Sequence, residues 1–344
     1  MNNVKRLPYG VSDFEYVMSD NLYYVDKTMY IPLLEQQPNY LMFIRPRRFG
    51  KSLLLSMLAT YYDKAKKDQF EEIFGSLWIG KHPTPLMGRY QVMHLDFSRI
   101  GGTIDELEKK FDEYLCYTLN AFVRKYSDDY PDYFLKSFFE CNTYTGKLIQ
   151  ITTTANELHI PMYLIIDEYD NFTNVVLSEK GEEVYHKMTH AEGFYRDVFK
   201  KFKGTFERIF FTGVSPVTLD DLTSGFNIGW NISTLFYFDK LLGFSTEDVR
   251  AMFTYYKEAG SLPANCDIEA MIEEMKPWYD NYCFSKECHE DGNRVFNSDM
   301  VLFYLRNYMM FKSSPESMLD PNTKTDYNKL KQLIRLDQLD GNRK

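Results

Sequence analysis

The sequence predicts an α/β chain: a parallel sheet with helices on both faces, followed by a smaller helical region. Three observations predict it. Runs of strand length occur at 40–44, 91–97, 162–166 and 208–212, mostly apolar with 91–97 alternating, and none has helical spacing inside it. Longer stretches of helical periodicity separate most of these runs, and strands joined by helical crossovers pair in parallel. From Leu242 onward the strand signals stop and only helical patterns follow. A fifth strand is expected at 235–238, Leu-Phe-Tyr-Phe.

The first run leads into the most informative stretch. After Tyr40 to Ile44 come Arg45-Pro46-Arg47-Arg48-Phe49-Gly50-Lys51-Ser52, then Leu54, Leu55, Leu58, Tyr61 and Tyr62 at helical spacing. A strand, a tight loop ending Gly-Lys-Ser and a helix make the layout of a phosphate-binding P-loop. Gly50 lets backbone approach phosphate, and the N–H groups of Arg47, Arg48, Phe49 and Gly50 with the helix N-terminus supply positive potential. Lys51 would reach the β- and γ-phosphates, and the Ser52 hydroxyl would coordinate Mg²⁺. Arg45 stands where the usual pattern begins with glycine. The loop is expected to leave Lys51 exposed.

The third run supplies the second half of the chemistry. Met162 to Ile166 is apolar and ends in Asp167-Glu168. A buried strand ending in two carboxylates is costly unless a metal or a catalytic task occupies them. Asp167 would hold Mg²⁺, directly or through water, and Glu168 would deprotonate the attacking water. The fourth run ends in Thr212, placed to sense a γ-phosphate. Arg47 and Arg48 carry guanidinium groups close to the phosphates, and one of them is expected to contact nucleotide in cis, with Arg48 as a catalytic candidate.

Composition narrows the class. At 344 residues, the chain is long enough for two cores. Its net charge of −9 repels nucleic acid over the molecule as a whole. The 27 Tyr and 27 Phe are read as packing rather than as a base-stacking surface. Five scattered cysteines imply no complete disulfide framework and suit a reducing compartment. The first ten residues lack a signal-peptide core, and no apolar run is long enough to span a bilayer, so a cytoplasmic protein is expected.

The remaining elements follow in order. A short helix should end near Gln37-Pro38, and residues 63–75 should be helical before a loop at 81–88. Thr103 with Glu106 reads as a capping box opening a long amphipathic helix through Leu107, Phe111, Leu115, Leu119 and Phe122. Further helices are expected at 146–158 and 182–203. In the latter, His186 and His190 share a face, but Lys187 follows His186 where a zinc-protease helix has glutamate, so no metal role is assigned. Cys283, Cys288 and His289 fit no zinc spacing either. A polar loop is read at 223–228. Ser245 and Asp248 open a helix that Gly260 stops, another runs over 267–276 and ends at Pro277, and a last one covers 327–336.

Together these residues resemble a bacterial and archaeal family, the AAA-ATPase-like proteins. The resemblance rests on Leu7-Pro8-Tyr9-Gly10, Tyr24-Val25-Asp26-Lys27-Thr28, the Arg45 to Ser52 loop, Ile166-Asp167-Glu168-Tyr169-Asp170 and Thr212-Gly213-Val214-Ser215. It extends to Thr223-Ser224-Gly225-Phe226-Asn227, Trp278-Tyr279-Asp280-Asn281-Tyr282 with Phe284, and Val295-Phe296-Asn297. It implies an AAA+-like P-loop domain over 1–240 and a helical lid-like domain over 241–344. Members of the family usually continue into a PD-(D/E)XK nuclease-like domain, for which this sequence carries no acidic-lysine strand pattern after Leu336. Nuclease activity is therefore not expected of these residues.

The expected function is Mg²⁺-dependent ATP binding and hydrolysis acting on a partner. The alternative is a nucleotide-gated switch that hydrolyses little and controls a nucleic-acid-acting domain. The partners in view are ATP, further copies of the chain in a homo-oligomer, and nucleic acid through a nuclease-like domain; no membrane is among them.

Overall fold

The computed structural model describes residues 4–100, 104–171, 194–214, 229–280, 282–291 and 294–320. In chain order these form α1 (Phe14–Ser19), α2 (Ile31–Glu35), β1 (Tyr40–Ile44), α3 (Lys51–Tyr62), α4 (Phe70–Phe74), α5 (Trp78–Lys81) and β2 (Gln91–Asp96). Next come α6 (Ile104–Lys125), α7 (Asp132–Glu140), α8 (Tyr144–Leu158), β3 (Met162–Asp167), α9 (Phe194–Thr205), β4 (Arg208–Gly213) and β5 (Trp230–Asn231). The last described are α10 (Thr246–Glu258), α11 (Ile268–Tyr279), α12 (Lys286–Asp291) and α13 (Ser298–Phe311). Thr103, His186, His190, Ser215, the 223–228 loop, Asn281 and the 327–336 helix lie outside the described residues. No described helix is long and apolar enough to cross a membrane.

The described residues group into two compact units. Ile31–Ile44 with Leu58–Asn231 make one; Met1–Tyr30, Arg45–Met57 and Ile232–Lys344 contribute to the other.

The first unit is the sheet unit. Its five strands run in the order β2-β3-β4-β1-β5, and every pair is parallel. Successive strand residues point to opposite faces, and two-sided burial is why β1, β3 and β4 read as largely apolar runs. On one face, Met42, Met93, Leu164, Ile166, Ile209 and Phe211 pack with apolar residues of α6, α8 and α9. On the other, Tyr163 meets Tyr62 and Tyr90, with ring centroids 5.0 and 5.6 Å apart. All six residues of β3 are buried, so its polar end, Asp167, is held at the rim of a dry sheet.

The expected strand at 235–238 is not a strand. Phe236–Phe238 form a 3₁₀ turn, and Trp230–Asn231 take the place beside β1. The reason lies in the carbonyls: that of Phe238 accepts Arg45 Nη2 at 3.0 Å and that of Ser233 accepts Nη1 at 2.8 Å, so neither joins a ladder. Phe236 and Tyr237 stay exposed while Phe238 is fully buried, a pattern that a run of four apolar letters does not reveal.

The second unit is mainly helical. Its core joins Val249, Met252, Phe253 and Tyr256 of α10 to Met271, Ile272, Met275 and Tyr279 of α11 and to Met300, Val301, Tyr304 and Leu305 of α13. The expected capping box is present: the Ser245 side chain accepts from the Asp248 N–H and Asp248 returns the bond to the Ser245 N–H. Gly260 follows the end of α10 at φ +76°, as a helix stop requires. Pro277 does not end α11, which continues to Tyr279. Full burial of Tyr279, whose hydroxyl donates to the Met318 carbonyl, holds this last turn in place although proline removes one of its hydrogen bonds.

Candidate functional site

The loop between β1 and α3 runs from Arg45 to Gly50, and Lys51 is the first residue of α3. It passes twice through left-handed backbone, at Arg48 (φ +68°) and Gly50 (φ +91°). At Gly50 the dihedral is what demands glycine, since a Cβ there would find its nearest neighbours 3.9 Å away. Lys51 is not exposed as expected. It is 5% accessible, and its Nζ donates to the carbonyls of Arg45 and Pro46, each at 3.0 Å. A lysine at this position curls back over its own loop, because the loop turns those two carbonyls toward it.

Arg45, in the place of the usual glycine, is fully buried. Besides the two carbonyls it binds, its guanidinium lies over the Phe284 ring, 3.8 Å from the centroid. Burial pushes its pKa down to about 9, and the Asp239 carboxylate acts in the other direction. Phe49 is likewise buried, edge-on to Tyr282 and Phe284 with centroids 4.7 and 5.8 Å away. Its side chain therefore anchors the loop, and only its backbone is placed to serve a ligand. Arg48 Nη1 pairs with Asp299 Oδ2 at 3.0 Å. Ser52, the second residue of α3, is half-buried.

The acidic strand end belongs to the sheet unit. Asp167, 5% accessible, accepts on Oδ1 from the Thr212 hydroxyl at 2.8 Å and from the Glu168 N–H at 3.0 Å. Thr212 is fully buried at the end of the neighbouring strand, so it orients the carboxylate. Glu168 has φ +50°, an uncommon backbone for a residue with a side chain and one that clusters at working sites. Its turn is locked by two bonds: Tyr169 N–H to the Thr212 carbonyl at 3.0 Å, and Asn171 N–H to the Glu168 carbonyl at 2.9 Å.

Two supporting residues escaped the sequence reading. Asp170, 1% accessible, accepts the Val214 N–H on both oxygens, at 3.2 and 3.0 Å. Gly213 lies where any Cβ would run into the Tyr169 ring and the Asp170 carboxylate. The signal was present in the Asp-Glu-Tyr-Asp and Thr-Gly-Val runs, but their mutual contact is not written in either. In register, Ile44 at the end of β1 pairs with Gly213, and Asp96 of β2 pairs with Asp167. The strand order thus sets β4 between the strand that feeds the loop and the strand that ends in Asp167, all at the carboxyl edge where open α/β sheets bind ligands.

Among the described residues no group of three or more His, Cys, Asp and Glu could hold a metal ion. The Asp96 carboxylate oxygens are occupied by the Ser98 N–H and by Arg99 at 3.0 Å.

An "uncharacterized protein in vnfD 5′ region" of Azotobacter chroococcum mcd 1 is 27% identical over 338 residues, 92% of this chain and 56% of that protein. The chain therefore spans little more than half the length of that relative. A family model described as "Predicted AAA-ATPase" matches residues 8–223, which take in the loop, Asp167 and Thr212. The chain belongs to this AAA-ATPase-like family.

Proposed function

We propose that the chain binds ATP with Mg²⁺ and hydrolyses it, using the turnover to act on a partner. The observation that carries the reading is the Asp167 carboxylate at the carboxyl edge of the sheet, aimed by Thr212 and followed by Glu168 in strained backbone. Lys51 binds the β- and γ-phosphates, leaving the carbonyls of Arg45 and Pro46 to do so. Ser52 and Asp167 hold the magnesium ion. Bound Mg²⁺ supplies Lewis-acid charge that offsets the phosphate charge. Glu168 orients water and takes its proton. Arg47 or Arg48 adds a guanidinium to the phosphates. The division near residue 240 into a P-loop domain and a lid-like domain, assembly into a homo-oligomer, a cytoplasmic setting and action on nucleic acid through a nuclease-like domain outside these residues belong to the same proposal.

A second reading is favoured by one observation: Lys51 and Arg48 already have protein acceptors in Arg45, Pro46 and Asp299. Exchange of those acceptors for phosphate would serve a switch that hydrolyses little. Steady-state phosphate release by the purified chain separates the two. Turnover that needs Mg²⁺ and vanishes in Glu168→Gln supports the enzyme, and tight binding without turnover supports the switch.

A further inference from the structure

Four consecutive loop carbonyls have donors. Those of Arg45 and Pro46 take the Lys51 amine. The Arg47 carbonyl accepts Asn297 Nδ2 at 3.4 Å, and the Arg48 carbonyl accepts the Asp299 N–H at 3.3 Å and Ser298 Oγ at 3.5 Å. These last three donors come from the first turn of α13 and the residue that caps it, about 250 positions along the chain. The Asp299 carboxylate then holds the Arg48 guanidinium.

The consequence follows from peptide geometry. In a trans peptide the C=O of one residue and the N–H of the next point in opposite directions, and no described peptide bond is cis. Fixing the Arg47 and Arg48 carbonyls on α13 therefore turns the N–H groups of Arg48 and Phe49 away from α13. Outward amides at consecutive residues are what a phosphate-cradling loop needs. Arg48, at φ +68°, would not keep this orientation unaided, because a side chain disfavours left-handed backbone.

We propose that Asn297, seconded by Ser298 and Asp299, is a positioning residue for phosphate binding: it sets the direction of the loop amides without touching nucleotide. This rests on the ATP-binding reading above. Asn297 does two separable things. Its Oδ1 accepts the Met300 N–H at 3.3 Å and caps α13, while Nδ2 holds the loop. Aspartate caps a helix as well as asparagine does, but has no donor and sets a carboxylate against the Arg47 carbonyl.

Asn297→Asp is thus the discriminating variant, with Asn297→Ala, Ser298→Ala and Lys51→Ala beside it. The measurements are calorimetric titration with ATP and Mg²⁺, thermal melting, and steady-state kinetics. Asn297→Asp should melt like the wild type yet bind ATP about three- to tenfold more weakly, the worth of one lost hydrogen bond. KM should rise by a similar factor with kcat little changed, because the amides contact phosphate in ground and transition states alike. Asn297→Ala should lose both binding and melting temperature. Weak binding by the alanine variant with normal binding by the aspartate variant would make Asn297 a helix cap only and overturn the proposal. Should the aspartate variant fail to fold, Ser298→Ala decides: a raised Kd at unchanged melting temperature supports the proposal, and an unchanged Kd overturns it. Wild type that binds no ATP removes the site reading and this proposal together. Wild type that binds, with Lys51→Ala that does not and Asn297→Asp that binds normally, removes this proposal alone.

Discussion

Lys51→Ala tests both the structure of the loop and its chemistry, and the two effects separate. The side chain is 5% accessible and its amine makes two hydrogen bonds of 3.0 Å to the carbonyls of Arg45 and Pro46. Hydrogen bonds to a charged donor contribute about 1.5–3 kcal/mol each. Against this stands the cost of keeping an ammonium out of water, so the net loss on truncation should be about 2–3 kcal/mol. In a protein of this size that lowers Tm by roughly 5 °C. Loss of the phosphate contact should weaken ATP by a further factor of about 10–150, the same 1.5–3 kcal/mol expressed in Kd. Differential scanning calorimetry without nucleotide reads the first number, and titration with ATP and Mg²⁺ reads the second. Lys51→Met keeps the stem and should recover part of the stability but none of the affinity. An unchanged Tm in Lys51→Ala would refute the anchoring of the amine. An unchanged Kd would refute the phosphate assignment even if Tm falls.

Glu168→Gln should retain ATP and lower turnover by roughly 10²–10⁴-fold, the usual worth of a positioned base; wild-type turnover would leave Glu168 a structural residue. Asp167→Asn keeps an acceptor for Thr212 and should instead raise the Mg²⁺ concentration needed for half-maximal turnover. Arg47→Ala or Arg48→Ala should cut kcat/KM for ATP equally at all protein concentrations. Turnover per subunit that climbs with concentration and ignores both substitutions would assign the guanidinium to a neighbouring copy. Gly213→Ala should cost about 1–3 kcal/mol by overpacking against Tyr169 and Asp170, read as a lower denaturant midpoint at constant slope.

Four of the five strands were legible because β1, β3 and β4 are buried on both faces, β2 alternates, and each ends at a charged or glycine-bearing break. The α10 capping box was legible because its two partners are three residues apart. The 235–238 run failed for the opposite reason. Its conformation is decided by an arginine 193 positions earlier, and four apolar letters carry no trace of that. Helix α11 passed its proline because the burial of Tyr279, a tertiary fact, outweighs a local penalty. The residue types of the candidate site were legible in the same uneven way. Asp167, Glu168 and Lys51 announce themselves by chemistry next to a strand. The burial of Lys51 does not, since its acceptors are backbone carbonyls whose direction depends on two left-handed dihedrals. Asn297 was visible only as part of a resemblance, because its task is met across 250 residues.

Arg45, Arg47, Arg48 and Lys51 put four cations into seven residues, and their mutual repulsion would splay an isolated loop. The fold answers by turning cations to different acceptors. Arg45 is carried down onto the carbonyls of Ser233 and Phe238 and the face of Phe284. Lys51 is folded inward onto the loop, and Arg48 is drawn to Asp299. A flexible ammonium could not replace Arg45, since two carbonyls five residues apart and a ring face require a planar fork. The missing first glycine is thereby explained. In a glycine-led loop, close backbone approach shapes the start of the loop, whereas here a buried guanidinium holds that first loop residue on Ser233, Phe238 and Phe284. The charge on Arg45 is thus spent on architecture, while the amides after Arg47 and Arg48 remain directed by α13. On the proposed reading, positive potential for phosphate would come from backbone N–H groups, Lys51 and the guanidinium groups of Arg47 and Arg48.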